Sequence, residues 1–382
     1  MKSSNFIIQF FEKDYVPPVY STVQFQGDKH ILFYENSQNI PTHTLYSTRL
    51  IPEYLTLFQN EKFGCKKIKQ TNKGYALFLS DFEDAEAYML QKSKSNAKSV
   101  LKRFKRLCLC FDISFKTYDE SITKVEYDFL MEHFLTLLVR RFEQRKDQNK
   151  KIENWDYLHK IAYPLIQQKR ASLSVIYNKD IPIQIQLRYH YGKVLFSAVP
   201  AYDIDYHKFG LGNIAVYKEI EWCIKNGYKV LDTGYGDLDY KIRWSNKIYT
   251  FERHVVYKKT LPSLCIGLVY YYIFGLKETL KKTKEQVVKQ KWYAKEKPPK
   301  STDEDSFVGL EMMELTEHGI PDSKALIDIN QEPYRFLKRP VYDFQYLNAE
   351  PAENIKVYKL MDNPVHYLIV GSKKKQVLQK KL

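Results

Sequence analysis

The residues able to do chemistry crowd between 207 and 243. Gly210-Leu211-Gly212-Asn213 runs directly into a helical pattern, so backbone N–H groups without helical partners meet the positive end of a helix dipole. The amides of Gly210, Leu211, Gly212 and Asn213 suit the oxygens of a diphosphate. Further on, Asp237, Tyr240 and Lys241 follow a short apolar strand. A carboxylate such as Asp237 can take a proton from an amine or hydroxyl, and a phenol such as Tyr240 can return one to a leaving group. The Lys241 ammonium can neutralise negative charge developing in a reaction, or hold a phosphate. His207 is a second candidate base, because imidazole titrates at ~6.5. Plainer roles stand beside these: His207 as a loop histidine, Asp232-Thr233 as a loop cap, Tyr240-Lys241 as a pair that only holds its loop. The sequence has no Ser/His/Asp order, HExxH, Walker loop or paired-cysteine metal site, so hydrolase, kinase and zinc readings find no support.

The elements that must position these residues can be read from periodicity. Val216, Ile220, Cys223 and Ile224 share one stripe of a 3.6-residue helix, and Asn226-Gly227 stops it. Val230-Leu231 is a short strand. Upstream, 172–177 reads as a strand and Asn178-Lys179-Asp180 as a turn. Ile181, Ile183, Ile185 and Leu187 then alternate with Pro182, Gln184, Gln186 and Arg188, the pattern of a strand with one wet face. After the turn at Tyr191-Gly192-Lys193, 194–199 is a third strand.

Strand, loop, Gly-x-Gly, helix, strand and Tyr-Lys, in that order, resembles the core of the GNAT acyltransferases. Their coenzyme A loop, Q/R-x-x-G-x-G/A, is matched by His207-Lys208-Phe209-Gly210-Leu211-Gly212, with His207 in place of Gln or Arg. More narrowly, DTGYGDLDYKIRW, with its Y-K-x-x-W ending, is similar to the CelD-type acetyltransferases of polysaccharide synthesis and to their Fem-type aminoacyl transferase relatives. The resemblance spans about residues 80–260. It implies an α+β fold with a GNAT-like mixed sheet flanked by helices, in two tandem lobes with the first degenerate, plus a C-terminal extension. It implies acyl-CoA as co-substrate, Lys241 stabilising the acyl oxyanion and Tyr240 protonating the thiolate. The implied acceptor is an amine or hydroxyl of a sugar, sugar nucleotide or envelope polysaccharide intermediate. The alternatives are a Fem-type enzyme using aminoacyl-tRNA and a non-catalytic binding protein on the same fold. Against the Fem alternative, the chain shows no long coiled-coil arm.

Composition adds bounds. The 382 residues allow two or three domains, and the net charge of +15 favours an anionic partner, although a basic soluble surface fits equally. The five cysteines lack disulfide or metal spacing, which points to a reducing compartment, with all five buried or incidental and no metal. Cys108 and Cys110 are expected to face one side of a strand covering 107–115. No leader-like run is visible in 1–11. The apolar stretch 264–276 is shorter than the ~20 residues of a membrane span.

The expected divisions are a degenerate lobe over 1–115, the acyltransferase lobe over 116–260, an apolar and basic helical segment over 261–299 and an extension of unknown role over 300–382. Within the first, 52–59 is expected as a helix. Residues 85–108 are helix-rich and basic, either a solvated face or a phosphate-binding one. Residues 124–144 and 155–169 are helical, with Arg140, Arg141 and Arg145 at the C-terminal end of the first suiting its dipole. Residues 249–257 form a last strand, and a hairpin turns at Asp362-Asn363-Pro364. The protein is expected in the cytoplasm; the segment 264–297 either packs on the domain or lies on a membrane surface, in the second case making the protein peripheral at the inner membrane face.

Overall fold

A computed structural model describes residues 1–13, 15–25, 31–33, 43–145, 150–236, 238–294, 310–313, 323–363 and 365–380. Its centre is a mixed sheet of nine strands. In chain order these are β1 (Lys2–Asn5), β2 (Leu45–Pro52), β3 (Phe63–Phe78), β4 (Ile113–Tyr118), β5 (Ala171–Asn178), β6 (Ile181–Tyr191), β7 (Val194–Tyr202), β8 (Val230–Tyr235) and β9 (Lys247–Lys258). Across the sheet the order is β1-β2-β9-β3-β8-β7-β6-β5-β4. Neighbours are antiparallel except β1 with β2 and β7 with β8. The fold is therefore α+β, as expected, and the part before residue 80 joins the rest edge to edge through β3 and β8.

Helices cover both faces. On one lie α1 (Ala85–Lys92), α2 (Lys94–Cys110) and α5 (Leu211–Lys225), whose Met89, Ala97, Val100, Val216 and Ile220 bury Leu77, Leu195 and Leu231. On the other lie α3 (Lys124–Arg145), α4 (Trp155–Gln167) and the helical turn Ile8–Glu12, packed on Leu173, Leu187 and Phe196. Leu195 and Phe196 are consecutive and enter different cores, as strand alternation requires. Ser93 separates α1 from α2 and caps the second by accepting from the Asn96 amide. A short helix, α6 (Asp239–Trp244), follows β8, and α7 (Leu261–Ala294) lies along β3 and β9.

Residues 323–380 supply α8 (Lys338–Asn348) and strands Lys324–Leu326, Lys356–Leu360, His366–Val370 and Lys375–Lys380. With Leu310–Met313 these make a separate antiparallel sheet of five strands, including the expected hairpin beside Asp362-Asn363. Pro364 lies outside the described residues.

Two sequence expectations are corrected. Residues 107–110 continue α2, and the strand begins only at Ile113, so Cys108 and Cys110 sit on a helix. Cys110 is buried there while Cys108 is exposed, and Cys265 is exposed too, so their environments differ. The apolar run 55–59 is a strand, Leu55–Gln59, paired with Tyr20–Phe25 rather than a helix.

Candidate functional site

Two clefts meet where β7 and β8 part. Val194, Leu195 and Phe196 pair in parallel with Val230, Leu231 and Asp232, and the pairing ends there. Both strands lose register with their other neighbours at the same level, between Ser197 and Val199 and between Asp232 and Tyr235. Ser197 and Thr233, the next residue on each strand, line both clefts.

The first cleft, about 280 Å³, opens beside α2 and the start of α5. Its wall includes His207, Gly210, Leu211, Gly212, Asn213 and Tyr240, so the structure brings these expected site residues together. The amides divide into two groups. Gly210 N donates to His207 O at 3.0 Å, and Asn213 N donates to Gly210 O at 2.9 Å. Leu211 N and Gly212 N donate to no group among the described residues, which leaves those two as the free cradle of the helix end. Gly210 has φ +68°, the left-handed region, and a Cβ there would come within 2.7 Å of Arg103 Nη1. Gly212 is different. Its φ is ordinary, but a Cβ would lie 3.1 Å from Tyr202 Cε1 in the cleft wall.

Three arginines border this cleft: Arg103 from α2, Arg141 from α3 and Arg243 from α6. Arg141 stacks over Tyr202 at 4.4 Å and donates to Pro200 O at 3.0 Å, while its Nε is buried with no partner among the described residues. Arg140 grips Asp203 at 2.9 Å and Asp205 at 2.8 Å. These two arginines thus reach across to the 200–205 segment, a role the dipole reading of α3 did not contain. The basic α2 divides as well: Arg103 faces the cleft, and Lys98, Lys102 and Lys105 are exposed. Arg106 stacks 5.5 Å from Tyr346 of α8.

The second cleft, about 750 Å³, opens on the opposite face, between the Ile8–Glu12 turn and the start of α4. Tyr157, Tyr189, Phe196 and Tyr235 contribute aromatic wall, and Asn5, Glu12 and Asn154 contribute polar groups. The Tyr189 hydroxyl is buried with no partner among the described residues. Lys241 lines this cleft, so α6 presents consecutive residues, Tyr240 and Lys241, to opposite sides of the sheet. Lys241 is buried, its Nζ donating to Tyr235 O at 2.8 Å. Desolvation lowers its pKa to about 8, opposed by the charge of Asp232. His207 is exposed on the first cleft and does not line the cleft of Lys241. Asp237 lies outside the described residues.

Asp232 is fully buried, accepting from Tyr249 Oη at 2.6 Å, from Gly234 N at 2.7 Å and from Tyr54 Oη. Burial raises its pKa, and the hydrogen bonds from Tyr249, Tyr54 and Gly234 oppose the rise. It is an anchor for the loop of Lys241, tying in Tyr54 from the start of the chain. Thr233 Oγ1 donates to Tyr75 O at 2.8 Å, so Asp232-Thr233 caps the loop through Gly234 N and is also a buried brace across three strands.

Sequence periodicity missed a buried polar group. Gln184, Gln186 and Arg188, assigned by alternation to a wet face, are all buried beneath α5. Gln186 Nε2 donates to Ser197 Oγ and to both carboxylate oxygens of Glu219 at 3.1 Å. With that lone pair occupied, the Ser197 hydroxyl can direct its proton toward the junction of the clefts. Desolvation raises the Glu219 pKa to about 7, opposed first by Arg188 and then by Gln186. The available signal was Glu219 itself, a carboxylate beside the apolar stripe of α5 and one residue from Ile220. No group of His, Cys, Asp and Glu among the described residues is arranged to hold a metal ion.

Residues 91–242 match the family model described as acetyltransferase (GNAT) domain. No curated protein sequence matches the chain. Among solved structures, a conserved protein of unknown function from Bacteroides thetaiotaomicron is 11% identical, with TM-score 0.38 over 56% of this chain and 70% of that one. The crystal structure of FemX is 10% identical, with TM-score 0.40 over 56% and 72%. The structure of L-PGS from Bacillus licheniformis is 10% identical, with TM-score 0.36 over 61% and 74%. Likenesses of that size leave the chemistry to the site itself. The matched segment runs from the end of α1 through the glycine loop to Tyr240 and Lys241, so this part of the chain is similar to a GNAT acetyltransferase domain and the protein is an acyltransferase.

Proposed function

We propose that the protein moves an acyl group, with acetyl the first choice, from acyl-CoA to an amine or hydroxyl of a sugar or envelope polysaccharide intermediate. The observation that carries this reading is the meeting of two clefts of different chemistry at Ser197 and Thr233. The first has free amides at Leu211 and Gly212 with Arg103 and Arg243 beside them, a cradle for a diphosphate. The second has aromatic faces and polar side chains, which suit the flat apolar faces and hydroxyls of a sugar ring.

In the proposed transfer, the acceptor nitrogen or oxygen attacks the thioester carbonyl and loses its proton. The C–S bond breaks, and the thiolate takes a proton. Lys241, cationic at neutral pH, stabilises the oxyanion from the second cleft. Tyr240, on the first cleft, is placed on the thiolate side to supply the proton. The base role falls to Asp237, with His207 kept as the alternative although it stands at the diphosphate end. On this reading the enzyme works in the cytoplasm at the inner membrane face, in contact through 264–297. No described helix is long and apolar enough to cross a membrane.

A second reading, aminoacyl-tRNA as donor, is favoured by one observation: Lys98, Lys102 and Lys105 form an exposed basic row on α2. Native mass spectrometry of the purified protein separates the two. Bound coenzyme A is the expected result, copurified tRNA would transfer the proposal to the second reading, and neither would leave a binding protein.

A further inference from the structure

The long helix α7 carries an apolar face that its own domain does not cover. Its inner side packs Tyr270, Tyr271 and Phe274 against Leu45, Ile68 and Val255. Its rotation is fixed. Glu278 accepts from Thr71 N at 3.0 Å and Thr71 Oγ1 at 3.0 Å, and Gly267 lies where a Cβ would come within 2.9 Å of the Tyr257 ring. The helix therefore cannot roll its outer face inward. That outer face shows Ile266, Val269, Ile273, Leu276 and Leu280, at successive spacings of three and four residues, which is one continuous stripe. Leu276 and Leu280 are 62% and 61% exposed. A row of this kind is unlike the single exposed apolar residues of ordinary surfaces.

Charge selects the occupant. Lys277 and Lys284 flank the stripe and are exposed, whereas the Lys281 ammonium donates to Asn72 Oδ1 at 2.7 Å on the packed side. Between 277 and 286, Glu278 is turned inward and Glu285 is the acidic side chain left exposed. A second copy of the helix laid antiparallel on this face would set lysine against lysine, which disfavours self-pairing. A net charge of +15 adds to the same repulsion at long range. An apolar stripe edged by lysines on a helix lying flat is the arrangement that enters a lipid interface, side chains among acyl chains and ammonium groups at anionic headgroups.

We infer that α7 docks the protein on an anionic phospholipid bilayer, with Ile266, Val269, Ile273, Leu276 and Leu280 inserted and Lys277 and Lys284 at the headgroups. This names the lipid and the docking residues for the membrane contact in the proposed function. It does not depend on the acyl chemistry, because vesicle binding and coenzyme A binding are measured separately.

The test is co-sedimentation of the full chain with vesicles of phosphatidylcholine alone and with vesicles rich in phosphatidylglycerol. The bound fraction is expected to be about tenfold higher on the anionic vesicles and to fall in high salt. Leu276→Glu is expected to lower binding about tenfold or more, and Lys277→Glu with Lys284→Glu to abolish the preference for anionic lipid. Both variants change exposed side chains, so melting temperature and coenzyme A affinity are expected to stay unchanged. Wild-type protein that stays in the supernatant with both vesicles, or Leu276→Glu binding as well as wild type, would overturn the inference. So would a wild-type dimer in light scattering that Leu276→Glu converts to monomer without any vesicle binding, since the partner is then a second copy. Vesicle binding in a protein that binds no coenzyme A would remove the acyl-CoA reading and leave this one standing.

Discussion

Lys241 holds its charge against burial, and that balance makes its role measurable. Its pKa lies at about 8, so the ammonium dominates at neutral pH and is lost as pH rises through that value. An oxyanion stabiliser must be protonated, so kcat is expected to fall above about pH 8 with Lys241 intact, as a pH–rate profile will show. Lys241→Ala is expected to lower kcat and kcat/KM together, by ~100-fold or more, the scale of one lost oxyanion donor. Lys241→Arg is expected to restore only part, because a planar guanidinium sets its donors differently. A near-normal kcat in Lys241→Ala at saturating substrate would leave Lys241 a binding or structural role. The position of Tyr240 and Lys241 just beyond a short apolar strand was legible in the sequence, whereas the roles proposed for them come from the resemblance of the Tyr-Lys pair. Gln186, Ser197 and Glu219 were not. Alternation assigns every second residue of β6 to water, and only the placement of α5 over that face reveals that Gln184, Gln186 and Arg188 are buried and that Gln186 bonds to Glu219 and Ser197.

At the scale of elements, the glycine loop shows two glycines serving different ends. Gly210 is needed for its left-handed φ and for the approach of Arg103. Gly212 is needed for space beside Tyr202, on the same turn as the free amides. Gly212→Val is therefore expected to keep the fold and weaken coenzyme A binding by about tenfold or more in calorimetry, through blocked approach to the cradle. Unchanged affinity in the folded variant would move the cradle elsewhere. The strands β5, β6 and β7 and the helix α5 were all readable, because turn residues separate strong period-2 and period-3.6 patterns. Two short apolar runs were misread. Residues 107–110 have no period of their own and continue the helix behind them, whereas 55–59 is set by pairing with Tyr20–Phe25, a partner outside any local window.

Across the whole molecule, the C-terminal unit stands behind the glycine loop. Tyr346 packs 5.1 Å from Phe209, Tyr342 packs 4.7 Å from Tyr206, and Lys208 meets Asp343 at 3.6 Å. These contacts bear on the residues just before Gly210. Tyr346→Ala is expected to weaken coenzyme A affinity several-fold with little change in melting temperature, on the ~1 kcal/mol scale of one aromatic pair. Calorimetry on the purified variant checks this, and unchanged affinity would reduce the unit to a neighbour without influence on the loop. Nothing in the sequence announced this contact, because α8 and the loop are separated by more than a hundred residues and meet only through tertiary packing. The parting of β7 and β8 has one more consequence. Because the clefts open on opposite faces and, among the described residues, share only Ser197 and Thr233, the proposed transfer lets a spent carrier leave by one mouth while the acceptor stays seated in the other.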